Sequence, residues 1–367
     1  MTLRYAIIGS GMMGQEHIRN IALLGDAEVV AIAEPDEAMR TASLALTGGR
    51  AMAYADWRAL VATERPDAFV VAAPNHLHAE MLEALVATGR PILMEKPLVV
   101  DMDQARRVAA LAAQAPVWVA MEYRYMPGVS RLVADAHAGA AGPIHMMTVS
   151  ERRYPFLHKV GAWNRFNRYS GGTLVEKCCH FFDLMRLVTR AEPLRVFAVG
   201  GQRVNHRHEI YGNETPDIID SAYVTVRFEG GVDAMLELCM FAEGARFQER
   251  IAVMGEAATL EARVPGPGRF EPDGRHKPAE YAIARREGHP EGHGETVSIE
   301  HVDEALLNAG DHHGSTFFQH RQFARIAREG GVPEVTIADG LKAVAMGLAA
   351  QASIARGEPV EMAEFGL

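Results

Sequence analysis

The chain has 367 residues, 48% of them apolar and 23% charged, with a formal net charge of −10. That length suggests two domains, and the acidic balance speaks against nucleic acid or an anionic membrane as partner. No apolar run approaches the roughly 20 residues of a bilayer span. The opening MTLRYAIIG reads as a strand rather than an export signal. Three cysteines (Cys178, Cys179, Cys239) without framework spacing point to reduced thiols in a cytoplasmic protein.

Strand-like and helix-like segments alternate through the first third. LRYAII (3–8) is followed by a helical pattern over 12–24, EVVAIAE (28–34) by helices over 36–46 and 56–63, and DAFVVAA (67–73) by a helix over 78–88 that ends at Gly89. Then come a strand over 90–96, a helix over 101–114 and a strand over 117–121. Near-continuous apolar strands between helices predict a parallel sheet covered on both faces. After about residue 122 the pattern changes. One long helix is expected over 172–189, then strands in LRVFAVGG, SAYVTVRFEGG, VDAMLELCMFAEG and RIAVMG, with a hairpin turn at EGG (229–231). Residues 264–298, rich in Gly, Pro and charge, read as an exposed excursion. The end is helical. The expected fold is an α/β Rossmann domain over 1–122, then an α+β domain with a largely antiparallel open sheet over 123–367. A C-terminal helix near 339–356 is free to pack back on the first domain.

The first loop is Gly9-Ser10-Gly11-Met12-Met13-Gly14, directly after a strand and opening a helix. Its three glycines suit a tight turn, close approach of backbone to a pyrophosphate, and close helix–strand packing. Glu34 stands twenty residues past Gly14 at the end of the second strand, where a carboxylate would bind ribose hydroxyls. It would repel a 2′-phosphate, Asp36 and Glu37 add to that repulsion, and Arg40 is the nearby cation. NAD is therefore favoured, with NADP the alternative.

Lys96, in the run ILMEKPLVV, falls at the carboxyl end of a predicted parallel strand, the edge where ligands bind. Desolvation there would fit a lysine to proton transfer. Glu176, Cys179, His180, Asp183 and Leu187 form a stripe on the long helix. Glu176 and His180, four residues apart, are expected to pair, the carboxylate orienting the imidazole. Adjacent Cys178 and Cys179 point about 100° apart, so no metal site is expected. His289 and His293 read as loop residues, while His312 and His313 precede a helix start near Ser315 and could border the active site.

Several motifs in order resemble the Gfo/Idh/MocA oxidoreductases: the glycine loop, Pro74-Asn75 with His78, Glu95-Lys96-Pro97, MEYRYMP (121–127) with Arg124 and Pro127, and GGTLVEKCCHFFDLMRL. The resemblance covers the chain to about residue 190 and more loosely beyond. It implies that Pro74, Asn75, His78, Glu95 and Lys96 serve the cofactor. It also implies that the helix presents an acid and His180 to a substrate beside Lys96. Glu176 stands where the family usually has Asp, and Cys178 where glycine is common, which bears on pocket shape. Arg124, Tyr125, Trp163, Asn164, Asp183 and His313 are the substrate-side candidates. The implied activity is hydride transfer between a secondary alcohol of a sugar or cyclitol and nicotinamide, with His180 or Lys96 taking the proton. The rivals are a glycoside-cleaving or epimerising enzyme that uses NAD transiently, and a dinucleotide sensor without turnover. Relatives that pair through the second-domain sheet imply a homodimer or homotetramer.

Overall fold

A computed structural model describes residues 2–366. Six strands make one parallel sheet in the order β3-β2-β1-β4-β5-β6. They are β1 (Leu3–Ile8), β2 (Ala27–Ala33), β3 (Met52–Tyr54), β4 (Ala68–Val71), β5 (Ile92–Glu95) and β6 (Val117–Ala120). The helices between them are α1 (Met12–Leu23), α2 (Glu37–Leu46), α3 (Trp57–Thr63), α4 (His78–Val86) and α5 (Met102–Ala109). Strands β4, β5 and β6 are buried at every residue, as a sheet covered on both faces requires. Asp36, Asp56 and Asp101 start α2, α3 and α5 by accepting backbone N–H groups. The short β3 is exposed along much of its length.

Next come α6 (Pro127–His137), β7 (Ile144–Arg152), α7 (Asn167–Ser170), α8 (Thr173–Glu176) and α9 (Cys179–Thr189). Then follow β8 (Pro193–Gly201), β9 (Ser221–Phe228), β10 (Asp233–Cys239), β11 (Glu249–Gly255), β12 (Ala258–Val264), β13 (Ala279–Arg285) and β14 (Gly294–Glu300). The chain closes with α10 (Glu304–Ala309), α11 (Ser315–Glu329), α12 (Ile337–Arg356) and β15 (Val360–Glu361). Nine strands form a second sheet in the order β14-β13-β12-β11-β7-β10-β9-β8-β15. It is antiparallel except where β7 and β10 run parallel. The fold class is thus the expected one.

Two expectations need correction. The stretch 264–298 is not wholly an excursion: β13 lies within it and β14 begins in it, and the pair extend the sheet edge. Their carboxylates Glu280 and Glu295 pair with Arg263 of β12, so high charge did not mean loop. The long helix over 172–189 is interrupted. The N–H groups of both Lys177 and Cys178 reach the Thr173 carbonyl, at 3.0 and 3.3 Å. That wide turn inserts a residue and rotates the register between α8 and α9. The helix α12 packs against α8 at Gly347, where a Cβ would lie 2.5 Å from the Leu174 carbonyl oxygen. Only glycine fits there, and the contact seats the segment that carries Glu176.

Candidate active site

Loops converge at the carboxyl edge of the parallel sheet, beside the β1/β4 boundary where strand order reverses. Gly9 has φ +84, and a Cβ on it would lie 2.6 Å from the Ala73 nitrogen; one on Gly14 would lie 2.3 Å from the Gly9 carbonyl oxygen. Gly11 has open space around it. Two glycines therefore close the turn, and the third leaves backbone bare for a phosphate. Helix α1 begins without a side-chain cap or an acidic first turn, so its amides remain free for an anion. The Glu34 carboxylate accepts the N–H groups of Ser10 (2.8 Å) and Asp36 (3.0 Å). Arg40 gives its guanidinium to the Glu34 and Pro35 carbonyls. The buried Ser10 hydroxyl has no partner. These features fit NAD, with a carboxylate where the adenosine ribose would lie.

A cavity of about 460 Å³ opens beside this loop, and Met12, Met13, Lys96, Glu176 and His180 are on its wall. Lys96 directly follows β5 and is joined to Pro97 by a cis bond, and its Nζ donates to the Glu176 carbonyl (3.0 Å). Burial would depress this ammonium, but Cys179 and the carboxylates Glu122, Glu95 and Glu176 around it outweigh that and hold its pKa above the ordinary lysine value. His180 goes the other way. Burial, then Lys96 and Lys177, push its pKa well below the usual imidazole value. Its ring stacks on Tyr123 (4.2 Å between centroids, 8° between planes), and its Nε2 is 3.5 Å from Glu122 Oε1. Its Nδ1 is sealed in the protein without a partner.

The expected Glu176–His180 pairing is not present. The Glu176 carboxylate binds Lys159 Nζ at 3.0 Å instead, because the interruption between α8 and α9 removes the four-residue register. Glu122 takes the place beside His180. Burial and the charge of Glu95 push its pKa up to about 7.

The structure also brings in groups that spacing did not single out. Lys177 bonds the Tyr123 hydroxyl and lies 3.0 Å from Glu151. Tyr123 in turn donates to Glu249 (3.0 Å). From α1, Glu16 accepts from His312 Nδ1 (2.8 Å) and the Thr316 hydroxyl (2.7 Å). Burial opposes the charge on both partners, yet the pair overrides it: Glu16 is lowered to about 2 and His312 raised to about 9. The adjacent charges in EYRY and VEKCC were the available signal.

Other candidates lie away from the cavity wall. His78 is fully buried, with Nδ1 at the Pro97 carbonyl (2.8 Å) and Nε2 at that of Ala73 (2.9 Å). It ties two loops together. Asn75 donates to the Ser170 carbonyl, and Pro74 opens the turn that carries it. Glu95 is buried against His17 Nε2 (2.9 Å), whose Nδ1 meets His320. Arg124 and Asp183 form a buried bidentate pair (2.6 Å from Nε to Oδ2), which removes both from the substrate side. Tyr125 packs on Trp118, and Asn164 donates to the Leu157 carbonyl. Trp163 sits under Lys159 (4.3 Å from Nζ to the ring centroid), so it acts on the wall only through that lysine. His313 points away to the Pro265 carbonyl (2.9 Å), and its neighbour His312 faces the cavity in its place.

Residues 3–123 match the family described as "Oxidoreductase family, NAD-binding Rossmann fold", and residues 137–362 match its C-terminal alpha/beta domain. The chain is 24% identical to inositol 2-dehydrogenase of Rhizobium meliloti (strain 1021) over 365 residues, covering 99% of this chain and 100% of that protein. It is 28% identical to the rhizopine catabolism protein MocA of Rhizobium meliloti over 218 residues, 59% of this chain and 65% of that protein. Levoglucosan dehydrogenase, solved with NADH and levoglucosan, shares the fold with a TM-score of 0.82 at 20% identity, over 99% of this chain and 100% of that one. The chain belongs to the Gfo/Idh/MocA oxidoreductase family and carries its NAD-binding Rossmann domain.

Proposed function

We propose that this oxidoreductase oxidises a secondary alcohol of a sugar, cyclitol or sugar derivative with NAD. The observation that carries this reading is the meeting of Lys96 and His180 in one cavity beside the glycine loop, one held charged and the other held neutral. The names of inositol 2-dehydrogenase and levoglucosan dehydrogenase, proteins similar to this one, support the substrate class. NAD supplies the hydride acceptor. The carbinol C–H and O–H bonds break as C=O forms, and the proton must go to the protein. A charged Lys96 has no room for it, so Lys96 acts by stabilising negative charge on the carbinol oxygen. Neutral His180 accepts the proton. Since Nδ1 is sealed, Nε2 is the atom that meets the hydroxyl, and Glu122 beside it offsets the charge formed.

The test is NADH formation across sugars, cyclitols and glycosides, with Lys96→Met as control. NADH from one class, lost in the variant, supports the reading. Substrate consumed without net NADH would favour transient oxidation, and cofactor binding with no turnover would favour a sensor.

The open face of the second sheet exposes Phe197, Val199, Tyr223 and Met235. An apolar face of this kind suits a second copy of the chain. We infer a homodimer or homotetramer, which sedimentation equilibrium reads directly; Val199→Glu should shift it toward monomer. Among the described residues no helix is long and apolar enough to cross a membrane. The three free thiols suit a reducing compartment such as the cytoplasm.

A further inference from the structure

The cavity is electropositive in a protein whose net charge is −10. Besides Arg19 and Lys96, its wall carries four cations: Arg153, Lys159, Lys177 and Arg269. Two are matched by wall carboxylates, Lys159 by Glu176 and Arg269 by Asp311. The other two are not. The carboxylates that serve Arg153 and Lys177 are Glu151 (3.4 and 3.0 Å) and, for Lys177, Glu249 at 3.9 Å. Both lie behind the wall, at 0% and 1% exposure, and neither faces the cavity. Burial, then the charge of Glu151, push the Glu249 pKa up to about 7. Arg153 and Lys177 thus line the cavity, while the carboxylates that pair with them do not.

The donors are also incompletely used. Arg153 spends Nε on the Tyr154 carbonyl (3.3 Å) and Nη1 on Glu151. Its Nη2 makes no hydrogen bond among the described residues. The guanidinium lies over the Tyr154 ring (4.4 Å to the centroid), and that ring stacks on Phe270, so the fork is held in place. A planar fork beside an ammonium matches a carboxylate better than a hydroxyl. Sugar hydroxyls alone would leave this desolvated positive charge uncompensated.

We propose that the substrate is a sugar acid, a uronate or aldonate, whose carboxylate is held by Arg153 and Lys177 while a carbinol faces Lys96 and His180; this rests on the dehydrogenase reading above. Lys177 stands at the interruption between α8 and α9, on the cavity wall next to Glu176.

The experiment uses the NAD-loaded protein and matched pairs: D-glucuronate against D-glucose and D-gluconate against D-glucitol, with D-glucose 6-phosphate as a different anion. Expected is a kcat/KM for the carboxylate at least roughly tenfold above that for its uncharged parent, falling with added salt. Arg153→Gln should lower that ratio by a similar factor. Should the variant not fold, quenching of bound NADH fluorescence by gluconate in the wild-type protein, and its salt dependence, carries the test. NADH formed preferentially from the uncharged parents would overturn the carboxylate site and leave the dehydrogenase standing. Preference for the phosphate ester over the uronate would overturn it too. Gluconate that binds the NADH complex without any turnover would keep the anion site and remove the dehydrogenase. Neither binding nor turnover would remove both.

Discussion

Lys96 and Lys177 enter the same cavity, one from the end of β5 and the other from the break after α8, and both are poorly exposed. Their surroundings differ in sign. Lys96 stands among Cys179, Glu122, Glu95 and Glu176, which together outweigh burial. Lys177 has Glu151 and Glu249, but burial and the cations Arg153 and Lys96 prevail, and its pKa is pushed below the lysine norm. Depth is shared, so the neighbours decide. The first lysine is a fixed positive charge suited to stabilising an oxyanion. The second is a cation lacking compensation, which a ligand's negative charge would supply.

Removing each lysine should separate the two roles. Lys96→Met should cost about 10³-fold in kcat/KM, mostly in kcat, because the charge is needed as the alkoxide forms. Lys177→Met should act mainly through KM. Equal kcat losses in steady-state kinetics would merge the two lysines into one function and break the comparison.

The first domain was legible because each of its signals is local. The glycine loop and the apolar strands are both written in consecutive residues. Even Lys96 could be placed, since strand ends follow from the pattern. The second side of the cavity is built from long-range contacts. Tyr123 meets Lys177 across 54 positions, and Glu16 meets His312 across 296. No spacing rule reports such pairs. The stripe on 172–189 assumed a continuous helix, and one inserted residue was enough to send Glu176 to Lys159 and to bring Lys177 inward. His313 was chosen over His312 for the same reason: which of two neighbours faces inward depends on the left-handed turn at His313 (φ 51) and Gly314 (φ 77).

A smaller effect, on stability, contrasts the Glu16–His312 pair with the lysines. Glu16 is lowered to about 2, so its contribution is complete above the ordinary carboxylate range and lost as pH falls toward 2. His312 is raised to about 9, so its contribution is complete below the ordinary imidazole value and lost as pH rises through 9. Between those ordinary values, roughly pH 4.5 to 6.5, both are present in full. Glu16→Gln should cost about 3 kcal/mol there and flatten the dependence of Tm on pH in calorimetry. Smallest of all, Arg168→Ala, which breaks the exposed pair with Glu214, should leave Tm and kinetics unchanged within measurement.

The central claim is that His180 is a neutral base whose charge Glu122 offsets as the proton arrives. The pH profile of kcat/KM for NADH formation, in wild type and in Glu122→Gln, tests it most directly. Glu122 is pushed up to about 7, so the wild-type rate should fall as pH drops through 7, when its carboxylate is protonated. In Glu122→Gln the rate should be lower but level across that range, because His180, with its depressed pKa, stays neutral. A fall through pH 7 that persists in Glu122→Gln would mean that His180 itself titrates there, and would contradict the account.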